Sequence, residues 1–161
     1  MVDNVFIQSF NDDTHQIVAS LRQWGAAIVS EYLKESQVKT LLGEFGHILH
    51  YKAKWLKVLS YRPGWGSEAV AFKRENADTR LFPTITTLFG SLFMNTICDE
   101  YLGVPNQFNN SIYLTHDLAN EEPVTIYHFD RIYALKFYIY LTDTSTDNGA
   151  FEYCPGSHLV G

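Results

Sequence analysis

Ala134-Leu135-Lys136-Phe137-Tyr138-Ile139-Tyr140-Leu141 alternates in character along its length. Successive side chains of a strand point to opposite faces. Lys136, Tyr138 and Tyr140 therefore share one face, and Phe137, Ile139 and Leu141 share the other. Working upstream, Phe108 to Thr115 and Val124 to Phe129 are also rich in β-branched and aromatic residues, with turn signals between them. Downstream, Asp147-Asn148-Gly149 is a hairpin signal leading into a further expected strand, Ala150 to Tyr153.

Before residue 104 the period is 3.6 rather than 2. Asp13, with Gln16, can cap a helix carrying Ile17, Val18, Leu21 and Trp24, and Gly25 is placed to stop it. Ala26-Ala27-Ile28-Val29 reads as a short buried strand. Ser36 can cap a second helix, striped by Val38, Leu41, Leu42 and Phe45 and ended by Gly46. The stretch from His47 to Tyr61 favours neither helix nor strand. Tyr61 to Gly66 reads as a turn and Lys73 to Arg80 as a loop. Pro83 opens a third helix, expected to run unbroken to Gly103. Helices first and strands second predict a single α+β domain over residues 1–161: a mainly helical part, 1–103, and an antiparallel sheet, 104–161.

The bulk numbers narrow the function. The chain has 161 residues, 46% hydrophobic and 19% charged, which suits one globular core. Aromatics reach 15%, with 10 Tyr and 11 Phe, a composition that favours strands and a wide pocket. The net charge is −6, and the densest positive run, Lys52, Lys54 and Lys57, is interleaved with apolar residues. Nucleic-acid binding is not expected. Cys98 and Cys154 give no disulfide framework, so a reducing cytoplasm is expected. No stretch approaches the roughly 18 apolar residues of a membrane span, and the first residues do not read as a signal peptide.

One spacing carries chemistry. His128 and Asp130 are two apart at the end of an apolar strand pattern, so an imidazole and a carboxylate lie side by side on one face. These are two legs of a 2-His-1-carboxylate iron site. They are the candidate metal ligands and catalytic residues. His47, His50 and the His116-Asp117 pair have no ligand spacing relative to Asp130 and read as surface or packing residues.

The run His128-Phe129-Asp130, Leu135 to Asp143, Asn148-Gly149-Ala150-Phe151 and Pro155-Gly156-Ser157-His158 resembles the phytanoyl-CoA dioxygenase family of iron(II)- and 2-oxoglutarate-dependent oxygenases. Trp24 to Val29 and Tyr101-Leu102-Gly103 are similar to that family too, so the likeness covers residue 14 onward. It implies a double-stranded β-helix, a jelly-roll or cupin-like core, with the N-terminal helices packed outside. It implies Fe(II) as cofactor and 2-oxoglutarate as cosubstrate, decarboxylated to succinate while dioxygen hydroxylates a small organic substrate. Asp130, where the family's halogenases have a small residue, favours hydroxylation.

On the same resemblance, Tyr138 lies near the cosubstrate, and Lys136 is placed to meet a carboxylate of 2-oxoglutarate as a point charge. The alternative for Lys136 is a stem lying along the surface with its ammonium in solvent. His158 falls in what is a structural turn in the family. The family's distal His and its 2-oxoglutarate-binding Arg have no counterpart here, nor do its later strands. The expectation is a β-helix truncated on its C-terminal side. It belongs to a longer protein, is completed by a second copy, or is a degenerate relative. A non-catalytic binding or oligomerisation module, and a cupin-like metal enzyme that does not use 2-oxoglutarate, remain alternatives.

Overall fold

A computed structural model describes residues 7–9, 13–51, 58–61, 67–104, 111–117 and 134–160. In chain order the elements are β1 (Ile7–Ser9), α1 (Thr14–Trp24), β2 (Ile28–Ser30), α2 (Glu35–Tyr51), β3 (Val58–Tyr61), β4 (Ser67–Lys73), α3 (Pro83–Leu88), α4 (Leu92–Leu102) and β5 (Ser111–Asp117). Short 3₁₀ turns occupy Arg74–Asn76 and Ser157–Leu159. The architecture is mixed α+β, but the expected order of helices first and strands second does not hold: among the described residues β1 to β4 all precede residue 104 and only β5 follows it. None of the helices among the described residues is long and apolar enough to cross a membrane.

Two sheets form. β1 and β2 pair in parallel, Ile7 opposite Ile28. β3, β4 and β5 make an antiparallel sheet in that order, with Ser67 opposite Asp117 and Lys73 opposite Ser111. Across β4 and β5, Val70 faces Leu114 and Phe72 faces Ile112, and all four are buried. Tyr113 between them is on the other side and exposed. No closed jelly roll is seen among the described residues. The strand expected at Val124 to Phe129 lies outside them.

The core has two clusters. The larger joins Leu41 and Ile48 of α2, Val70 and Phe72 of β4, Phe82, Ile85 and Leu88 around α3, Met94 of α4, and Ile112 and Leu114 of β5. The smaller sets Ile17, Val18 and Leu21 of α1 against Ile97 of α4. Phe93 and Phe137 pack against both, so they join the two. Polar contacts reinforce the α1–α4 seam: Thr14 Oγ1 donates to Glu100 Oε1 at 3.1 Å and Arg22 Nη2 to the Glu100 carbonyl at 2.8 Å.

Several expectations need correction. Ile28 is exposed, so β2 is a surface strand paired with β1 and not a buried one. Ser36 does not cap α2, which begins at Glu35; the Gln37 side chain reaches back to the Lys34 N–H at 3.0 Å instead. Gly46 does not end α2. The helix runs through it to Tyr51 because burying Ile48 outweighs a glycine penalty of about 1 kcal/mol. The third helix is two helices. Ser91 caps α4 through the Met94 N–H, and Gly90 gives way to the Arg74 guanidinium, which a Cβ would strike. β4 replaces what carried no strand reading, and its end at Lys73 takes the first residue of the expected loop.

Other local readings hold. Asp13 caps α1 by accepting the His15 N–H, and Gly25 ends it in the left-handed region with φ 78°. Pro83 opens α3, and Gly103 closes α4 with its N–H on the Asp99 carbonyl.

Candidate functional site

Residues 134–141 keep the alternation read from the sequence. Phe137, Ile139 and Leu141 are partly buried against the larger cluster, and Lys136, Tyr138 and Tyr140 are exposed on the other side. The physical cause is one-sided packing. One face lies on hydrophobic side chains from the sheet and helices, so the other must point away from them.

The chain then turns back. Ser145 accepts the N–H groups of Asn148 and Ala150 on its carbonyl, and Asn148 Nδ2 donates to the Asp143 carbonyl at 3.0 Å. Gly149 adopts φ 85°, as the Asp-Asn-Gly sequence requires. Neither residues 134–141 nor the returning residues 150–153 form a ladder strand among the described residues, contrary to expectation, although 134–141 keep the two-sided burial of one. The two arms meet through side chains instead. The Phe151 N–H donates to Tyr140 Oη at 2.9 Å. The Phe151 and Tyr138 rings stack with centroids 4.9 Å apart at 27°. Aromatic side chains thus do the work of backbone pairing, on the face that carries Lys136.

Pro155-Gly156-Ser157-His158 folds back onto the end of α1. Gly156 takes φ 80° and donates its N–H to the Trp24 carbonyl at 2.7 Å. His158 Nε2 lies 3.1 Å from the Arg22 carbonyl. A carbonyl only accepts, so Nε2 donates to it, while Nδ1 is buried with no hydrogen-bond partner. Two terminal carbonyls of α1 are thereby satisfied from the far end of the chain. The segment is a turn docked on the end of α1.

Of the candidate site residues, His128 and Asp130 lie outside the described residues. Lys136 and Tyr138 are brought to one exposed face. Among the described residues no three His, Cys, Asp or Glu side chains gather as a metal would need. His47 packs edge-on to Phe82, while His116 and His50 are exposed. Cys98 is buried and Cys154 exposed, both free thiols. A shallow cleft lined by Arg74, Glu75, Thr79 and Thr87 shares no residue with the Lys136 face.

Sequence reading missed the pairing of Tyr140 with Phe151 and of Tyr138 with Phe151. Alternation assigns a face but not which ring meets which, because that depends on the path of the turn between them. It also missed Glu44. This residue falls in the apolar stripe at i+3 from Leu41 and i−4 from Ile48, a position that signals a buried carboxylate.

No protein-family model, curated protein or solved structure matches this chain.

Proposed function

We propose that the chain carries part of the active site of an iron(II)- and 2-oxoglutarate-dependent hydroxylase of the phytanoyl-CoA dioxygenase type. The observation that supports the reading most is the two-sided segment 134–141. Its apolar face is spent on the core, and its other face offers a cation, Lys136, beside two tyrosines. A cosubstrate with carboxylates at each end needs such a cation. An extended segment with helices behind it also suits one wall of a double-stranded β-helix.

On this reading His128 and Asp130 supply an imidazole and a carboxylate to the metal. Lys136 takes a carboxylate of 2-oxoglutarate, and Tyr138 flanks it. Bound iron(II) would supply the capacity to couple decarboxylation of 2-oxoglutarate to oxidation of a C–H bond. The protein's own part is to hold the cosubstrate, orient the organic substrate and keep water out.

The test is ligand-induced stabilisation. 2-Oxoglutarate with manganese(II), a redox-inert substitute for iron(II), should raise the melting temperature of the 161-residue protein saturably. His128→Ala should remove the dependence on metal, and Lys136→Ala the dependence on 2-oxoglutarate. Stabilisation by manganese(II) alone, indifferent to 2-oxoglutarate, would favour the cupin-like alternative. Indifference to both would favour the non-catalytic one.

A further inference from the structure

We infer that Tyr140 is a positioning residue for the 2-oxoglutarate face, acting through Phe151 to fix the Tyr138 ring beside Lys136. The inference rests on the function proposed above. Four observations carry it. The arms 134–141 and 150–153 share no ladder of backbone hydrogen bonds, so side-chain contacts set their relative register. The Tyr140 hydroxyl accepts the Phe151 N–H at 2.9 Å across the turn. The Phe151 ring, fixed by that bond at its own backbone, stacks at 4.9 Å on Tyr138. Tyr138 is two residues from Lys136 and on the same face.

The chain of effect is short. Tyr140 and Tyr138 stand on one strand-like arm, with Phe151 between them on the other. The Tyr140 bond holds Phe151 along the direction of the arm, and the stack then limits the swing of the Tyr138 ring. A ring limited in this way forms a fixed wall on the face that carries Lys136, and a wall that does not move lowers the entropy lost when a dicarboxylate is held there. The bond is exposed, so it contributes little to folding. Its effect falls on ligand binding, which separates positioning from a merely structural role.

The experiment compares the 161-residue protein with Tyr140→Phe, which deletes only the hydroxyl. The readouts are half-saturation by 2-oxoglutarate with manganese(II), melting temperature without ligand, and exchange of the Phe151 amide by NMR. Tyr113, exposed on β5, serves as control through Tyr113→Phe. Tyr140→Phe should raise half-saturation about fivefold or more, speed Phe151 amide exchange, and leave the unliganded melting temperature within about 2 °C. Tyr113→Phe should change none of these. In a Phe151→Leu background, which keeps the N–H but loses the ring, Tyr140→Phe should have no further effect on half-saturation. Unchanged half-saturation in Tyr140→Phe, or an equal rise with and without the Phe151 ring, overturns the inference and leaves the proposed function standing. A parent protein that does not respond to 2-oxoglutarate overturns the function and the inference together.

Discussion

The Glu44 carboxylate accepts the Ile85 N–H at 2.9 Å, although the two residues are 41 apart in the chain. Its other oxygen accepts the Thr84 N–H, also at 2.9 Å. Phe82, at the start of α3, makes no capping bond with its side chain, so α2 supplies the cap. Glu44 is buried, and its carboxylate is held by two oriented N–H groups at the start of α3.

Replacing Glu44 by Ala should therefore destabilise strongly. Two N–H groups lose a charged acceptor in a buried place, a loss of about 2–3 kcal/mol and roughly 5–10 °C in melting temperature. Glu44→Gln keeps one acceptor oxygen and should lose less. Glu35→Ala, exposed in the first turn of the same helix, should stay within about 0.5 kcal/mol. Thermal melts of the three variants check this. Equal effects at positions 35 and 44 would refute the capping role.

Two glycines in the same backbone conformation should respond differently to substitution. Gly25 and Gly103 both sit in the left-handed region, φ 78° and 69°. Gly103 has open space where a Cβ would go, whereas a Cβ on Gly25 would overlap Tyr153 Oη and the His158 ring. Asn tolerates the left-handed region, so Gly103→Asn should be mild. Gly25→Asn should cost more than Gly103→Asn by about 1–3 kcal/mol, because the docked turn must shift. Matching denaturation midpoints for the two Asn variants would show that the turn does not pack on α1 as described.

These contrasts also show what could be read in advance. Both ends of α1 and the C-terminal end of α4 were legible because their caps and stops are local: Asp13, Gly25 and Gly103 act within one turn of themselves. The two faces of 134–141 were legible because strand alternation needs no partner to be seen. β4 was not. Val70, Ala71 and Phe72 are buried in succession, so the strand shows no alternation. The passage of α2 through Gly43 and Gly46 depends on Ile48 finding the sheet, which is tertiary information. The same holds for Glu44 and α3. Of the candidate site, a face was legible but its aromatic pairing was not, and His128 and Asp130 lie outside the described residues.

The two thiols should differ in reactivity. Burial, with the Asp99 charge adding to it, pushes the Cys98 thiol up from its ordinary value of 9.0 to about 11. Cys154 is exposed. At pH 8 a thiolate-specific reagent should modify one thiol in the native protein and two after unfolding. A raised pKa means the folded state disfavours the thiolate. Its neutral form imposes no stability penalty below pH 9. As pH climbs from 9 through 11 the unfolded chain gives up the proton first, and stability falls. Cys98→Ala should remove that part of the alkaline loss, read from denaturation midpoints at pH 8 and pH 10.5.

Phe137 and Tyr138 are neighbours in sequence and opposite in surroundings. Phe137 packs against both hydrophobic clusters, whereas Tyr138 is 57% exposed and touches Phe151. Phe137→Ala leaves a gap where the two clusters meet and should destabilise by about 2–4 kcal/mol, toward the lower end because the ring is only partly buried. Tyr138→Ala loses one exposed ring stack, about 0.5–1.5 kcal/mol. Lys136→Ala should leave folding within about 0.5 kcal/mol, since its side chain is exposed. The order Phe137, Tyr138, Lys136 in loss of stability is the signature of a segment with one face packed on the core and the other exposed. Urea denaturation of the three variants measures it. A Lys136→Ala loss as large as that of Phe137→Ala would place the lysine in the structural layer and remove it from any role with 2-oxoglutarate.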